Sequence, residues 1–160
     1  MRIIGIDPGT ARIGWGLIDG NHQRYTMYRY GCIETDKAKQ SYHRLEEIYD
    51  EVYGLLTAEQ PDQVVVEQLF FAKNVTTAMS VGQARGVILL AAAHANLPIF
   101  EYTPLQVKQT ITGYGRAEKS QIQTMVKMLL KLKEIPKPDD AADALAIALT
   151  HGFTNLALAR

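Results

Sequence analysis

The sequence predicts an α/β fold: one five-stranded mixed sheet, three antiparallel N-terminal strands followed by parallel ones, with helices on both faces. Three observations predict it. The first 33 residues hold three short runs of strand character joined by turn-forming residues. From Tyr42 onward, runs with apolar residues at helical spacing alternate with short β-branched runs. That alternation, following a three-stranded meander, is the order expected of one sheet sandwiched between helices.

Each element has its own signal. Residues 2–7 read as a buried strand ending at Asp7, and Pro8-Gly9-Thr10 is turn chemistry. Arg12 to Ile18 is a second strand, with Ile13, Trp15 and Leu17 alternating against Arg12, Gly14 and Gly16. Asp19-Gly20-Asn21 reads as a hairpin turn, and Arg24 to Ile33, rich in Tyr, Thr and Met, as the third strand. Tyr42 to Leu56 is helical by the spacing of Leu45, Ile48, Tyr49, Val52 and Leu56, and Pro61 closes it. Gln63 to Glu67 is a short β-branched run of the kind buried on both faces. A long helix from Val75 to Ala95 and a strand from Pro98 to Tyr102 follow. Pro104 to Thr110 is a short helix and Gly113-Tyr114-Gly115 a flexible loop. Glu118 to Leu132 is amphipathic, with Ile122, Met125, Val126, Leu129 and Leu130 on one face. Asp140 to Thr150 is the last helix. The order βββαβαβααα resembles the ribonuclease H-like architecture.

Length and composition narrow the function classes. With 160 residues, 47% of them apolar and 21% charged, the chain suits one globular domain over residues 1–160. The opening apolar run ends in Asp7, so it does not read as a signal peptide, and Val87 to Ala93 is too short to span a bilayer. Cys32 is alone, which precludes an internal disulfide and fits a cytoplasmic setting. Formal net charge is zero, so a nucleic-acid function must rest on local patches. One lies between Pro104 and Lys133, where Lys108, Arg116, Lys119, Lys127, Lys131 and Lys133 face only Glu118.

Four carboxylates sit where element ends would gather them. Asp7 and Glu67 end two apolar strands, the place where loops open a crevice in parallel α/β sheets. Asp140 and Asp143 are three apart at the start of the last helix and share a face. Singly, each has an ordinary reading as a turn former, a strand-end charge or a helix-cap acid. Together they read as a cluster that would repel itself unless a divalent cation sat among them. All-oxygen donors select hard ions, Mg²⁺ or Mn²⁺, and no Cys/His spacing competes for zinc. Two such ions about 3.5–4 Å apart suit phosphodiester cleavage.

The residues then match a family. Ile4-Gly5-Ile6-Asp7-Pro8-Gly9-Thr10 with Gly14 and Gly16, Val66-Glu67-Gln68 with Phe70 and Ala72-Lys73-Asn74, Gln106-Val107-Lys108-Gln109, Ala117-Glu118-Lys119-Ser120-Gln121, and Asp140-Ala141-Ala142-Asp143-Ala144-Leu145-Ala146 occur in order across the chain. Together they resemble the RuvC crossover junction endodeoxyribonucleases of bacteria. The resemblance implies that Asp7, Glu67, Asp140 and Asp143 are metal-binding catalytic acids. It implies that Lys108 and Lys119 serve the DNA backbone or the transition state, and that Phe70 lies near the junction centre. Lys73 in the matched stretch and Arg116 in the basic segment join them as DNA-binding candidates. It further implies four-way (Holliday) junction DNA as substrate, a homodimer, and a RuvA–RuvB branch-migration complex as partner. Some relatives carry His at the first aspartate of the last pair, whereas Asp140 keeps the four-acid form. Asp139 reads as the helix cap, but which of Asp139 and Asp140 faces the metal stays open.

Two further features bear on that implication. Phe70-Phe71 follows the strand ending at Glu67; Phe70 is expected to be exposed, to stack on or wedge between bases, and Phe71 to be buried. The helix from Val75 to Ala95 is apolar nearly all round, so beyond its sheet-facing side it needs neighbouring helices or a second copy of the chain. Two other functions compete. A sugar-kinase or actin-like phosphotransferase shares the Gly-x-Asp-x-Gly opening of residues 4–16, but needs two such domains and a second phosphate loop. A junction-binding module without cleavage would not need four acids.

Overall fold

The computed structural model of the chain describes residues 1–21, 24–68 and 75–158. Within them the elements run β1 (Arg2–Asp7), β2 (Arg12–Asn21), β3 (Arg24–Glu34), α1 (Ser41–Glu59), β4 (Gln63–Glu67), α2 (Val75–His94), β5 (Ile99–Tyr102), α3 (Pro104–Thr112), α4 (Lys119–Leu129) and α5 (Asp139–Leu158). The sheet order is β3-β2-β1-β4-β5. The two pairs at the β3 end are antiparallel, whereas β4 runs parallel to both β1 and β5. This is the expected five-stranded mixed sheet.

Side-chain alternation divides the core into two layers. Ile4, Ile6, Leu17, Val64 and Val66 point to one face, which α1 and α2 cover with Ile48, Val52, Leu56, Ala84 and Ile88. Ile3, Ile18 and Val65 point to the other, covered by α5 and, outside it, by α3 and α4. On that second face β1 and β2 also present Gly5, Gly14 and Gly16. A Cβ built on Gly5 would fall 2.1 Å from the Ala144 carbonyl oxygen, and one on Gly14 1.9 Å from that of Asp140. The backbone of α5 therefore rests on the backbone of the sheet. Deep in this layer His151 is buried, its Nδ1 2.9 Å from the Tyr102 hydroxyl and its Nε2 2.8 Å from Gln63 Oε1.

Four local expectations differ, the first being the last helix, which runs past its expected end at Thr150 to Leu158. Asp19 to Asn21 do not turn but continue β2, Asn21 pairing with Arg24. A Cβ on Gly20 would meet the Arg24 carbonyl at 2.0 Å, so this glycine serves close strand approach and not a bend. Helix α4 stops at Leu129, short of Leu132, because Lys131 turns left-handed (φ 53°) and the chain closes a Schellman cap, Leu132 N–H to the Lys127 carbonyl at 2.9 Å. Gly113 to Gly115 is tied rather than loose. Gly113 adopts φ 74° as the C-cap of α3, and Gln109 Nε2 donates to its carbonyl at 3.0 Å.

Candidate active site

Asp7 and Glu67 are the last residues of two adjacent parallel strands. The register places Ile6 beside Val66, so the two acids emerge level at the carboxyl end of the sheet. Asp7 also pairs with Gly14 across β2. Because Gly14 has no side chain, the backbone of Asp140 sits directly over it, which delivers the first turn of α5 to the strand end. Asp143 lies one turn further along.

A cavity of about 190 Å³ opens at this point, lined by Asp7, Glu67, Asp143, Lys108, Lys119 and Pro104 among others. Asp140 is not part of its wall, but its charge is felt there. Burial, then the charges of Glu67, Asp143 and Asp140, push the Asp7 carboxyl up to about 8, with Lys119 opposing. Burial and Asp143 push Glu67 up to about 7, against Lys108. Asp143 is also raised, by burial, although Lys119 holds it at 2.8 Å. Burial pulls Lys119 down, but Asp143, Asp139 and Asp140 more than compensate and its ammonium is favoured overall. The two lysines thus stand inside the acid cluster and offset only part of its charge.

Asp139 differs from Asp140. It is not the cap expected of it but the first residue of α5, exposed, with its carboxylate 3.7 Å from Lys119 Nζ, and it is absent from the charges that raise Asp7. The donor set fits a hard divalent ion: carboxylate oxygens only, half-buried, with excess negative charge. Among the described residues, no group of three acids, histidines or cysteines is yet drawn into a compact metal-holding arrangement. The backbone assembles the cluster, while the side chains stay spread, Asp143 being engaged by Lys119. Arg116 is exposed on the turn before α4. Phe70, Phe71 and Lys73 lie outside the described residues.

Two arginines that sequence reasoning passed over brace the end of β4 and the β1–β2 loop from the opposite face. On α2, Arg85 Nε donates to the Glu67 carbonyl at 3.1 Å and its guanidinium pairs with Glu101. On α1, Arg44 donates to the Thr10 carbonyl at 2.6 Å and to Thr35 Oγ1 at 3.0 Å, and Thr35 donates to the same carbonyl. A signal existed for Arg85, the one formal charge in Val75–His94, since a lone cation in an apolar helix needs an acceptor nearby. Arg44 carried none, because its helix is rich in charge.

The chain has extensive likeness to known proteins. Residues 3–151 match the family model "Crossover junction endodeoxyribonuclease RuvC". The chain is 56% identical over 151 residues to the crossover junction endodeoxyribonuclease RuvC of Brevibacillus brevis, covering 94% of this chain and 91% of that one. It is 57% identical over 154 residues to that of Desulfitobacterium hafniense, covering 96% and 93%. Among solved structures, Thermus thermophilus RuvC superposes with a TM-score of 0.89 at 37% identity, over 98% of this chain and 96% of that one. The same protein in complex with a Holliday junction substrate superposes at 0.91 and 37%, over 97% and 94%.

Proposed function

Because the chain belongs to the RuvC family of crossover junction endodeoxyribonucleases, we propose that it resolves Holliday junctions in homologous recombination and DNA repair. It makes paired symmetric nicks in strands of like polarity and leaves 5′-phosphate and 3′-hydroxyl ends. The observation that carries this reading is the convergence, at one strand-end cavity, of acids from β1, β4 and α5 with lysines from α3 and α4.

Asp7, Glu67, Asp140 and Asp143 would hold two divalent ions, Mg²⁺ with Mn²⁺ as substitute. When bound, such ions supply Lewis-acid charge that activates a water and steadies the leaving oxygen. The chain's own residues do the rest. Burial of Asp7 and Glu67 strips them of water and makes them strong ligands for a cation entering the cavity. Between Asp139 and Asp140, the coupling of Asp140 to Asp7 favours Asp140 as ligand. Lys108 and Lys119 place ammonium groups in the same cavity, where they would orient the scissile phosphate and oppose its growing charge. Lys119 is paired with Asp143, so a cation taking Asp143 would free this lysine for phosphate.

Resolution needs two matched sites, and α2 offers the surface to pair them. Its outward residues Met79, Gln83, Gly86, Leu90 and Ala93 recur at alternating spacings of four and three, the pattern of a helix seam. Met79 is 64% and Leu90 48% exposed, and a Cβ on Gly86 would meet nothing within 4 Å. An isologous dimer through this stripe covers the apolar side chains and relates two cavities by a two-fold axis, matching the near-symmetry of the junction. Leu90→Glu is expected to give monomers by sedimentation at micromolar concentration; an unchanged dimer would move the interface elsewhere.

The reading is of one nuclease unit over residues 1–160, acting in the bacterial cytoplasm beside a RuvA–RuvB branch-migration complex. Among the described residues no helix is long and apolar enough to cross a membrane. The decisive experiment incubates synthetic four-way junctions of several core sequences with the protein and Mg²⁺. Paired symmetric nicks are expected from the wild type. Asp143→Asn is expected to bind the junction without cutting it. Cutting by that variant at the wild-type rate would show that the acids are misassigned.

A further inference from the structure

The tied turn between α3 and α4 carries a side chain that the nuclease reading leaves unused. Tyr114 is 56% exposed at the turn's tip. Among the described residues its hydroxyl has no hydrogen-bond partner and its ring no aromatic one. Its backbone, by contrast, is held on both sides. The Tyr114 N–H donates to Thr112 Oγ1 at 3.1 Å, and its carbonyl accepts from the Ala117 N–H at 3.1 Å and shares the single Thr112 hydroxyl proton, at 3.0 Å, with the Lys108 carbonyl at 2.8 Å. Next to it Leu105, 62% exposed, lies over Gly115, where a Cβ would come within 2.6 Å of the leucine Cδ1. A rigid tip thus presents a ring and an apolar neighbour to solvent, which costs free energy unless something covers them.

The tip lies on the chain between two helices that line the acid cavity. Helix α3, which ends at the tip, lines the acid cavity with Pro104 and Lys108; helix α4, which begins just after it, lines the cavity with Lys119. Arg116 is exposed two residues beyond Tyr114. An exposed aromatic ring on the turn that joins the helices carrying Lys108 and Lys119, with Arg116 two residues on, has the make-up of a single-strand nucleic-acid contact, cations for the phosphates and a π-face for a base. A pinned backbone adds to this, since little main-chain freedom is lost on binding.

We propose that Tyr114 is a nucleobase-stacking site, taking the face of a base on the DNA strand whose scissile phosphate enters the acid cavity. The inference rests on the junction-resolving reading and deepens it. It differs from the candidate wedge at Phe70, which follows β4. The hydroxyl plays no part: the ring's area and π-face do the work, and sequence readout is weak because every base has such a face.

The test measures junction affinity by fluorescence anisotropy, using the full chain carrying Asp143→Asn and a labelled synthetic four-way junction. In this background Tyr114→Ala is expected to weaken binding about 5- to 50-fold, as loss of one stacked base does, while Tyr114→Phe stays within about twofold. The salt dependence of binding should keep its slope in Tyr114→Ala, because no phosphate contact is lost, and fall in Lys119→Ala. With 2-aminopurine placed at successive positions near the cut, quenching at one position should vanish in Tyr114→Ala and persist in Tyr114→Phe. Wild-type affinity in Tyr114→Ala would overturn the proposal alone, as would equal loss in the alanine and phenylalanine variants. If the protein with Tyr114 intact does not bind the junction, the resolvase reading falls with it.

Discussion

The two faces of the sheet are built on opposite rules. Toward α1 and α2 the sheet shows branched side chains, and contact is side chain to side chain over Ile4, Ile6, Val64 and Val66. Toward α5 the central strands show glycines, and contact is backbone to backbone at Gly5 and Gly14. Side-chain contacts tolerate small shifts because rotamers adjust, whereas two apposed backbones have no such slack. The face that brings Asp140 and Asp143 toward Asp7 and Glu67 is the one with no slack. The α1/α2 face then supplies bulk stability and holds the strand-end carbonyl of Glu67 through Arg85 and the Thr10 carbonyl of the β1–β2 loop through Arg44.

The sharpest way to break this comparison is to remove charge without moving backbone. Asp7→Asn is expected to lower junction cleavage by well over 100-fold, since even an outer-shell partner of a metal ligand costs about 10–100-fold. The same variant should raise the melting temperature of the metal-free protein, because it removes a buried carboxyl repelled by its neighbours. A lower melting temperature would mean that this carboxylate is already well compensated.

A pair of core variants compares the faces directly. Gly14→Val forces α5 off the sheet, and Leu56→Ala opens a cavity under α1; each should cost about 2–5 kcal/mol in urea denaturation. Only Gly14→Val should abolish cutting by the molecules that remain folded. Equal loss of cleavage in both would show that the glycine face has no special positional role. A smaller effect is expected from Arg85→Gln, which weakens the hold on the Glu67 carbonyl: roughly tenfold in cleavage and in Mn²⁺ affinity. Unchanged Mn²⁺ binding would make this arginine a simple surface brace between α2 and β5.

The gentlest perturbation is pH. Asp7 and Glu67 have folded-state values raised to about 8 and about 7, above their ordinary 3.8 and 4.5. The folded metal-free chain therefore binds more protons than the unfolded chain between about pH 4 and 8. Their contribution to stability is fully present below the ordinary values and is lost as pH rises through 7 and 8. Denaturation at several pH values without metal should show this decline, and Asp7→Asn should flatten it. A stability that rose across this window in wild type but not in Asp7→Asn would reverse the assigned sign.

Much of the architecture is legible in the sequence. The alternation of Val64 to Val66 with helical runs announced a doubly covered sheet, and Asp7 and Glu67 stood visibly at strand ends. Local chemistry misled where a residue type has two uses. Asp19-Gly20-Asn21 has turn composition, yet Gly20 serves cross-strand approach. Glu118 to Leu132 kept its apolar spacing past the point where Lys131 turns the chain left-handed. The role of Arg44 was invisible, because its acceptors, Thr10 and Thr35, belong to other segments.

By itself, then, the order of residues determined the sheet, its two covered faces and the family, and singled out four acids as candidates, because these depend on periodicity and on residue identity along the chain. Tertiary structure alone decided that Asp140 couples to Asp7 while Asp139 does not, that Lys119 engages Asp143, and that Tyr114 stands exposed on a pinned turn between α3 and α4. The physical reason is range. Charge coupling and backbone contact depend on distances of a few ångströms between groups separated by up to 136 positions in sequence, as Asp7 and Asp143 are, and only the seating of α5 on glycine sets those distances.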